Sequence, residues 1–381
     1  MRVVLLIALC ACVETREPIT GTQSLRVELV SPSPGSVTNR LPDTSRTVTV
    51  NVTALDADGN VDTTYNNAVQ VYVNFLGTLT PYLGGTPLAV IAMNGGTATN
   101  QTINLPPVFG PTTLWLDDGA DVNPTYASGA SPVLWYRDPY IQDIQRPTDE
   151  MALNALSASP LELKQVTVHA SRYGADGRLV VTSVFAQGYT VSDVQCGPGG
   201  APPCTTGDYD HKMVFSFSAA RDERFRLIKE GQLIDGFAGG VSEFNGLTEI
   251  GFPQTFVDAD TADVNPAREP APATFDAMWF TNKYMFERNE AAPIAVLNAT
   301  VCPLDNDYNT YKQWKLDPAG TCTPGNRNVL NVITSGVTTI DPSTLVGRTL
   351  PRVVGVLRPV NIGSFNVWII YPRGNADLTL Q

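Results

Sequence analysis

Between Thr47 and Leu55 the apolar residues Val48, Val50, Val52 and Ala54 alternate with Thr49, Asn51 and Thr53. A period of two is the pattern of a strand with one face buried and the other wet. Val69-Gln70-Val71-Tyr72-Val73-Asn74-Phe75 repeats it, and so does Thr113-Leu114-Trp115-Leu116. Asn94-Gly95-Gly96 separates residues 88–93 from 97–103, and an Asn-Gly pair in that setting predicts a hairpin. Short strands punctuated by Gly, Pro and Asn predict an antiparallel sandwich over residues 25–135. Residues 136–157 shift in composition and read as a linker.

The remainder is also β-rich and looks duplicated. Residues 229–250 and 345–371 share one layout: a glycine with Ile or Leu three residues on, a strand interrupted by glycine, a turn, and a strand containing Phe-Asn. The glycines are Gly239 and Gly240 in one copy and Gly355 in the other; Phe244-Asn245 matches Phe365-Asn366. Upstream, residues 163–171 match 294–301 in position and pattern. A glycine inside a strand marks a bulge or sharp bend, which small barrels need at their corners. Two barrels are predicted, at 158–262 and 275–381.

The chain begins Met1-Arg2, then runs apolar from Val3 to Leu9 into Cys10-Ala11-Cys12. One positive charge, a short apolar stretch and small residues form the layout of a secretory signal. The stretch is far below the roughly 20 residues that span a bilayer. Leu9-Cys10-Ala11-Cys12 resembles the lipobox of bacterial lipoproteins. That resemblance implies a signal at 1–11, acylation of Cys12 as the bilayer anchor, and a polar tether at 12–24. Val13 after the cysteine implies the outer membrane. An ordinary secretory signal, or a start codon placed too late, fits the same residues. Cys196 with Cys204 and Cys302 with Cys322 form two local pairs, which an exported chain uses as disulfides. The zinc reading is poor, because there is no Cys-x-x-Cys pair and His211 stands alone beside Cys204.

Charge and composition narrow the functions. The net charge is −12, and only His169 and His211 are available for imidazole chemistry. Polyanion binding needs a basic surface, so nucleic acid is an improbable partner. The first lysine is Lys164, which leaves the sandwich region acidic. Asp56, Asp58, Asn60 and Asp62 lie within seven residues and make a candidate calcium set, since Ca²⁺ takes 6–8 oxygen ligands. The EF-hand spacing fails, with Gly59 at position four and Asn67 at position twelve, so a solvated turn is the competing reading. Asp258, Asp260 and Asp263, and Asp305, Asn306 and Asp307, are weaker sets of the same kind. His169 shares the parity of Thr167 and Ser171 and is expected to face outward. His211 is expected in a polar turn, and no nucleophile stands in triad order with it.

Ala54-Leu55-Asp56-Ala57-Asp58-Gly59-Asn60, followed by the strand from Val69, resembles the bacterial immunoglobulin-like repeats of adhesins. Residues 241–250, with Val353–Leu357 and Trp368–Arg373, resemble strands of OB-fold modules that accompany bacterial extracellular nucleases. The resemblances imply an all-β chain, an immunoglobulin-like sandwich followed by two OB-like barrels, with display or ligand binding as their work. Arg221, Arg224, Arg226 and Lys229, with Phe225, form the one short basic run, interleaved with Asp222, Glu223 and Glu230. An OB face stacks bases or sugars on aromatics. Trp314, with Tyr284, Phe286, Tyr308 and Tyr311, is the corresponding glycan candidate, against plain core packing. The expectation is a non-enzymatic, membrane-anchored envelope lipoprotein that binds a glycan or an envelope protein or serves as a scaffold. The alternatives are an accessory subunit of an envelope or secretion machine, and a hydrolase- or nuclease-associated protein.

Overall fold

The alternating segments are strands, and the fold is all-β. A computed structural model describes residues 21–75, 86–119, 127–147, 159–257, 263–362 and 365–380. The expected signal, Cys12 and most of the tether lie outside the described residues, as do Asp258 and Asp260. Two compact units divide the chain. One ends at Trp135; the other begins at Tyr136, with Phe75 and Pro107–Pro111 grouped with it.

The first unit holds β1 (Ser24–Ser31), β2 (Thr47–Leu55), β3 (Ala68–Phe75), β4 (Ala89–Ala92), β5 (Thr97–Asn104), β6 (Pro111–Asp117), β7 (Ser128–Ala130) and β8 (Leu134–Trp135). Their order is β4-β3-β6-β7-β1-β2-β5, with β8 beside β6. Val48, Val50, Val52 and Ala54 are at most 1% exposed, so the period of two does what it predicts. The Asn94-Gly95-Gly96 turn is present, but its flanking strands are not a hairpin. β4 pairs with β3 and β5 with β2, at opposite ends of the path. The turn therefore carries the chain from one end of the strand path to the other, and Val50, Val71, Ile91 and Leu116 along that path are buried. Gly96 makes this possible: its φ is +76°, and a Cβ there would stand 2.3 Å from the Asp62 carbonyl oxygen.

The second unit opens with α1 (Ile141–Gln145). This departs from the expected linker, because Ile141 and Ile144 are fully buried in the core of the first barrel. That barrel contains β9 (Gln165–Val168), β10 (Gly177–Phe185), β11 (Gly188–Gly197), β12 (Ala201–Thr205), β13 (His211–Phe215), β14 (Leu233–Ile234), β15 (Gly236–Phe244) and β16 (Leu247–Phe256). The second contains β17 (Ala273–Thr274), α2 (Tyr284–Arg288), β18 (Pro293–Val301), α3 (Asn306–Tyr311), β19 (Gln313–Asp317), β20 (Leu330–Ile333), β21 (Thr349–Ile362), β22 (Phe365–Tyr371) and β23 (Leu378–Thr379).

The two paths are equivalent. In the second barrel, β18-β19-β20-β22-β21 closes on itself through β18–β21. In the first, β10-β11-β13-β16-β15-β9 traces the same ring, its opening strand broken into β9 and β10. Each ring has one parallel contact in the corresponding place, β13–β16 and β20–β22. The interior glycines correspond too: Gly239 faces Val166, and Gly355 faces Ile294. A Cβ would stand 2.5 Å from the Ile250 side chain at Gly239 and 2.6 Å from the Tyr371 backbone at Gly355. Close approach at a barrel corner explains both. Cys196–Cys204 and Cys302–Cys322 are disulfides, as the spacing predicts.

Candidate functional site

Along β11, Tyr189 and Val191 point into the first barrel's core. The outward side chains between them are not wet. Thr182, Thr190, Ser192, His211 and Met213 are all 3% exposed or less. Met213 packs with Leu247, Phe185, Phe215 and Ala291, and Ala291 donates its N–H to the Leu357 carbonyl. Ala291 and Leu357 belong to the second barrel, so its first residues roof the outer face of β11 and β13. Two arginines reach across the same seam. Arg373 donates to the Thr182 carbonyl (3.1 Å) and to Glu269 (2.8 Å) and is clamped by Asp377. Arg358 lies 4.1 Å from the Phe185 ring centroid and 4.8 Å from that of Tyr371. Burial lowers its pKa to about 10.

One end of the seam holds a knot of buried charge. Lys212 faces Val191 across the ladder and is 0% exposed. Its Nζ donates to Gln145 Oε1 (2.8 Å) and to the Thr248 carbonyl (2.6 Å). Gln145 in turn donates to Glu290 Oε1, which also accepts the Thr248 N–H at 3.0 Å. Glu243 accepts from Ser159 N–H and Thr248 Oγ1. Burial pushes Lys212 down to about 8 and pushes Glu287 and Glu290 well above the carboxylate range, with their mutual repulsion adding to the rise in Glu287. Hydrogen bonds from Gln145 and the Thr248 N–H favour the charged form of Glu290, while its Oε2, like Glu287 Oε1, has no hydrogen-bond partner. Lys212, Glu243, Glu287 and Glu290 therefore form one buried, electrostatically linked network. Perturbed pKa values of this kind mark catalytic sites and structural ion networks alike. Here every polar atom of the lysine faces protein, so the cluster clamps α1, β13, β16 and α2 together.

A second polar contact was invisible in the sequence. Ser192 Oγ lies 2.7 Å from His211 Nδ1, the spacing of a nucleophile and its base. Burial holds His211 neutral, with its pKa lowered to about 4. Asp210 does not orient it. Its carboxylate takes Arg172, Tyr173 Oη and the Gly207 N–H instead. Beneath the roof of the second barrel this pair satisfies two buried side chains. His211 is thus a strand residue rather than part of a turn, whereas His169 is exposed and stacks on Phe256 at 5.3 Å.

The other expected residues fall as follows. Asp56 Oδ1 accepts the N–H groups of Asp58 and Asn60, and Asp62 accepts from Thr22 and Thr64, so both organise the turn. Among the described residues, the one close grouping of metal-type ligands is Cys302, Asp317 and Cys322. Its two sulfurs are bonded to each other, and Asp317 accepts the Cys322 N–H at 2.7 Å. Asp263 pairs with Arg268, and Asp305 with Asp307 brackets Lys315. Trp314 is 1% exposed in the second barrel's core and donates to Thr334 Oγ1, which takes it off any open face. Phe286 is in that core as well, and Tyr308 packs against it. Arg221, Arg224 and Arg226 do come together, on a loop held by Asp222.

Sequence reasoning missed Gln145, Lys212, Glu287 and Glu290. A signal existed for Lys212, because it shares the parity of the core residue Val191 across the ladder, not that of its outward neighbours. Comparison with protein-family models, curated proteins and solved structures finds no match for this chain.

Proposed function

We propose that this chain is a non-enzymatic scaffold protein of the cell envelope, exported and anchored by acylated Cys12. Its first unit is read as an immunoglobulin-like sandwich, supported by the antiparallel pairs β1–β2, β2–β5, β3–β4 and β6–β7 and by the turn at Gly96, with one short parallel contact between β1 and β7. The two five-stranded rings are read as OB-type barrels, which bind ligands on the face of their second and third strands. The observation that carries the scaffold reading is what covers those faces. On the first barrel, the outer residues of β11 and β13 lie under the second barrel. On the second, Gln313 and Asn331 on the outer side of β19 and β20 are 4% and 5% exposed, and α3 packs on β19. Surfaces spent on the chain's own packing favour a rigid spacer over a groove for sugars or bases.

Crosslinking in detergent-extracted envelopes tests this reading: a stable protein partner is expected, and a monomer throughout would overturn it. Binding to a glycan array, lost on Lys315→Ala, would restore the ligand-binding alternative. Cys12→Ala should release the chain from membranes, and unchanged fractionation would remove the anchor.

A further inference from the structure

The first unit leaves one sheet edge without the devices that keep edges apart. A strand at the end of a sheet presents unpaired N–H and C=O groups that template another strand. Proteins blunt such edges with charge, proline, bulges or brevity. Charged residues make up 16% of the chain, yet the 54 residues from Thr63 to Leu116 contain none. That run holds β3, β4 and β5, and β4 and β5 are the two ends of the strand path.

The two ends differ. On β5 the register with β2 slips between Val50 and Val52, and Asn100 stands at φ +53° with its N–H on Asn51 Oδ1, which makes a bulge. The Gln101 side chain also donates to the Thr99 carbonyl. β4 pairs with β3 in unbroken register, from Ala92 opposite Ala68 to Ala89 opposite Val71, and holds no proline and no charge. No described strand lies on its far side. Leu88-Ala89-Val90-Ile91-Ala92-Met93 is apolar throughout. Ile91 and Met93 are buried, whereas Leu88, Val90 and Ala92 are exposed, Val90 to 61%. The barrels guard their edges by other means. β12 contains Pro202 and Pro203, β9 follows directly on Lys164, and β14, β17 and β23 are two residues long. Among the described edges, β4 is the one that is apolar, regular and unguarded.

We propose that β4 pairs with β4 of a second copy of this chain, antiparallel about a two-fold axis at Val90, so that the two sheets run on as one. Parity constrains the register, because an outward residue must stand beside another outward residue. Centring on Val90 sets this side chain against its counterpart and Leu88 against Ala92 of the second copy. The charge pattern selects this occupant. Outside the charge-free run, residues 21–135 carry eight acids and three arginines, and the whole chain has a net charge of −12. Two copies therefore repel over most approaches, and at this edge neither brings a charge. Pairing through one short strand is small beside the roughly 1,600 Å² of a standard interface, so the dimer is reversible and concentration-dependent. The proposal concerns the purified chain and does not rest on the envelope reading.

The test is sedimentation equilibrium of the full chain carrying Cys12→Ala, so that no acyl group contributes. A monomer–dimer equilibrium is expected. Val90→Lys and Val90→Glu should each raise the dimer dissociation constant at least about tenfold, because like charges then face each other across the axis. An equimolar mixture of the two variants should restore the dimer, with opposite charges paired. Unchanged unfolding midpoints would show that both variants are folded, as substitution at an exposed position predicts. A wild type that is monomeric at every concentration overturns the proposal. So does a dimer indifferent to both variants, or one dissociated by Phe217→Ser on the first barrel, because another surface would then be the interface. Dimers lost in each variant and not recovered in the mixture would overturn the two-fold pairing at Val90.

Discussion

Lys212 and Lys315 occupy matched rings and experience opposite physics. Lys212 stands on β13, turned inward, fully buried, against Gln145 and the Thr248 carbonyl. Lys315 stands on β19, turned outward, its side chain 26% exposed between Asp305 and Asp307. Burial lowers the pKa of the first; for the second, desolvation is outweighed by hydrogen bonds to the two aspartates, and the pKa rises. The same residue type is a clamp where modules meet and a surface strut where a loop is laid over a barrel. The first barrel's face is closed noncovalently by its neighbour, the second barrel's by its own loop with a disulfide. The two rings therefore share the path but not the means of covering it.

The sharpest way to break this contrast is Lys212→Met. It takes the cation away from Glu243, Glu249, Glu287 and Glu290 and the donor away from Gln145 and the Thr248 carbonyl, a buried-charge defect that costs about 3–5 kcal/mol. Chemical denaturation should show that loss, with much of it recovered in Lys212→Met/Glu290→Gln, whose neutral partner needs no counter-charge. A loss as small as that of an exposed lysine would mean that the knot does not hold the seam.

Next comes the staple. Replacing Cys302 and Cys322 by serine opens a loop closed over 20 residues, with an expected cost of about 2–4 kcal/mol. Protection of the β19 amides from hydrogen exchange should fall, while β11 and β13 keep theirs. Simultaneous loss in both barrels would show that they unfold together and that the contrast is only local.

The pH profile separates the two lysines further. Glu287 and Glu290 bind more protons folded than unfolded above the ordinary glutamate range, so their stabilisation is present in acid and fades as pH rises. Glu287→Gln should flatten the stability curve between about pH 5 and about pH 8, on the order of 1–2 kcal/mol. Lys212 has the opposite sign. Its folded pKa is depressed to about 8 from 10.5, so burial costs less as pH climbs through that window. A profile unchanged by Glu287→Gln would mean that this carboxyl already ionises as an exposed one does.

Much of this was legible before any coordinates. β2 begins and ends where the alternation of Val48 to Ala54 does, because burial of one face is a local instruction. The duplicated barrels were readable from Gly239, Gly355 and Phe-Asn, since a backbone contact at a corner admits only glycine. The partners of β4 and β5 were not, because a turn specifies a reversal without specifying which strand receives it. Trp314 suits a glycan face or a core by residue type alone, and Gln313-Trp314-Lys315-Leu316 gives it the parity of Leu316, which is the side it takes. The knot at Lys212 joins residues from four elements, and no stretch of sequence holds that information. α1 was hidden for a related reason: five residues carry too little periodicity to show that Ile141 and Ile144 fill a barrel.

The smallest expected effect is the most pointed. Lys315→Gln removes two contacts, at 2.5 and 2.8 Å, that look stronger on distance alone than those of Lys212. Yet water can replace a partly exposed ammonium beside two partly exposed carboxylates, so the expected cost is below about 1 kcal/mol. Its alkaline behaviour should also oppose that of Lys212. A raised lysine pKa contributes stability below its unfolded value and loses it as pH rises through the folded one. If Lys315→Gln destabilised the chain as much as Lys212→Met, burial would not be what distinguishes the barrels, and the disulfide loop would be carrying load through its ion pairs.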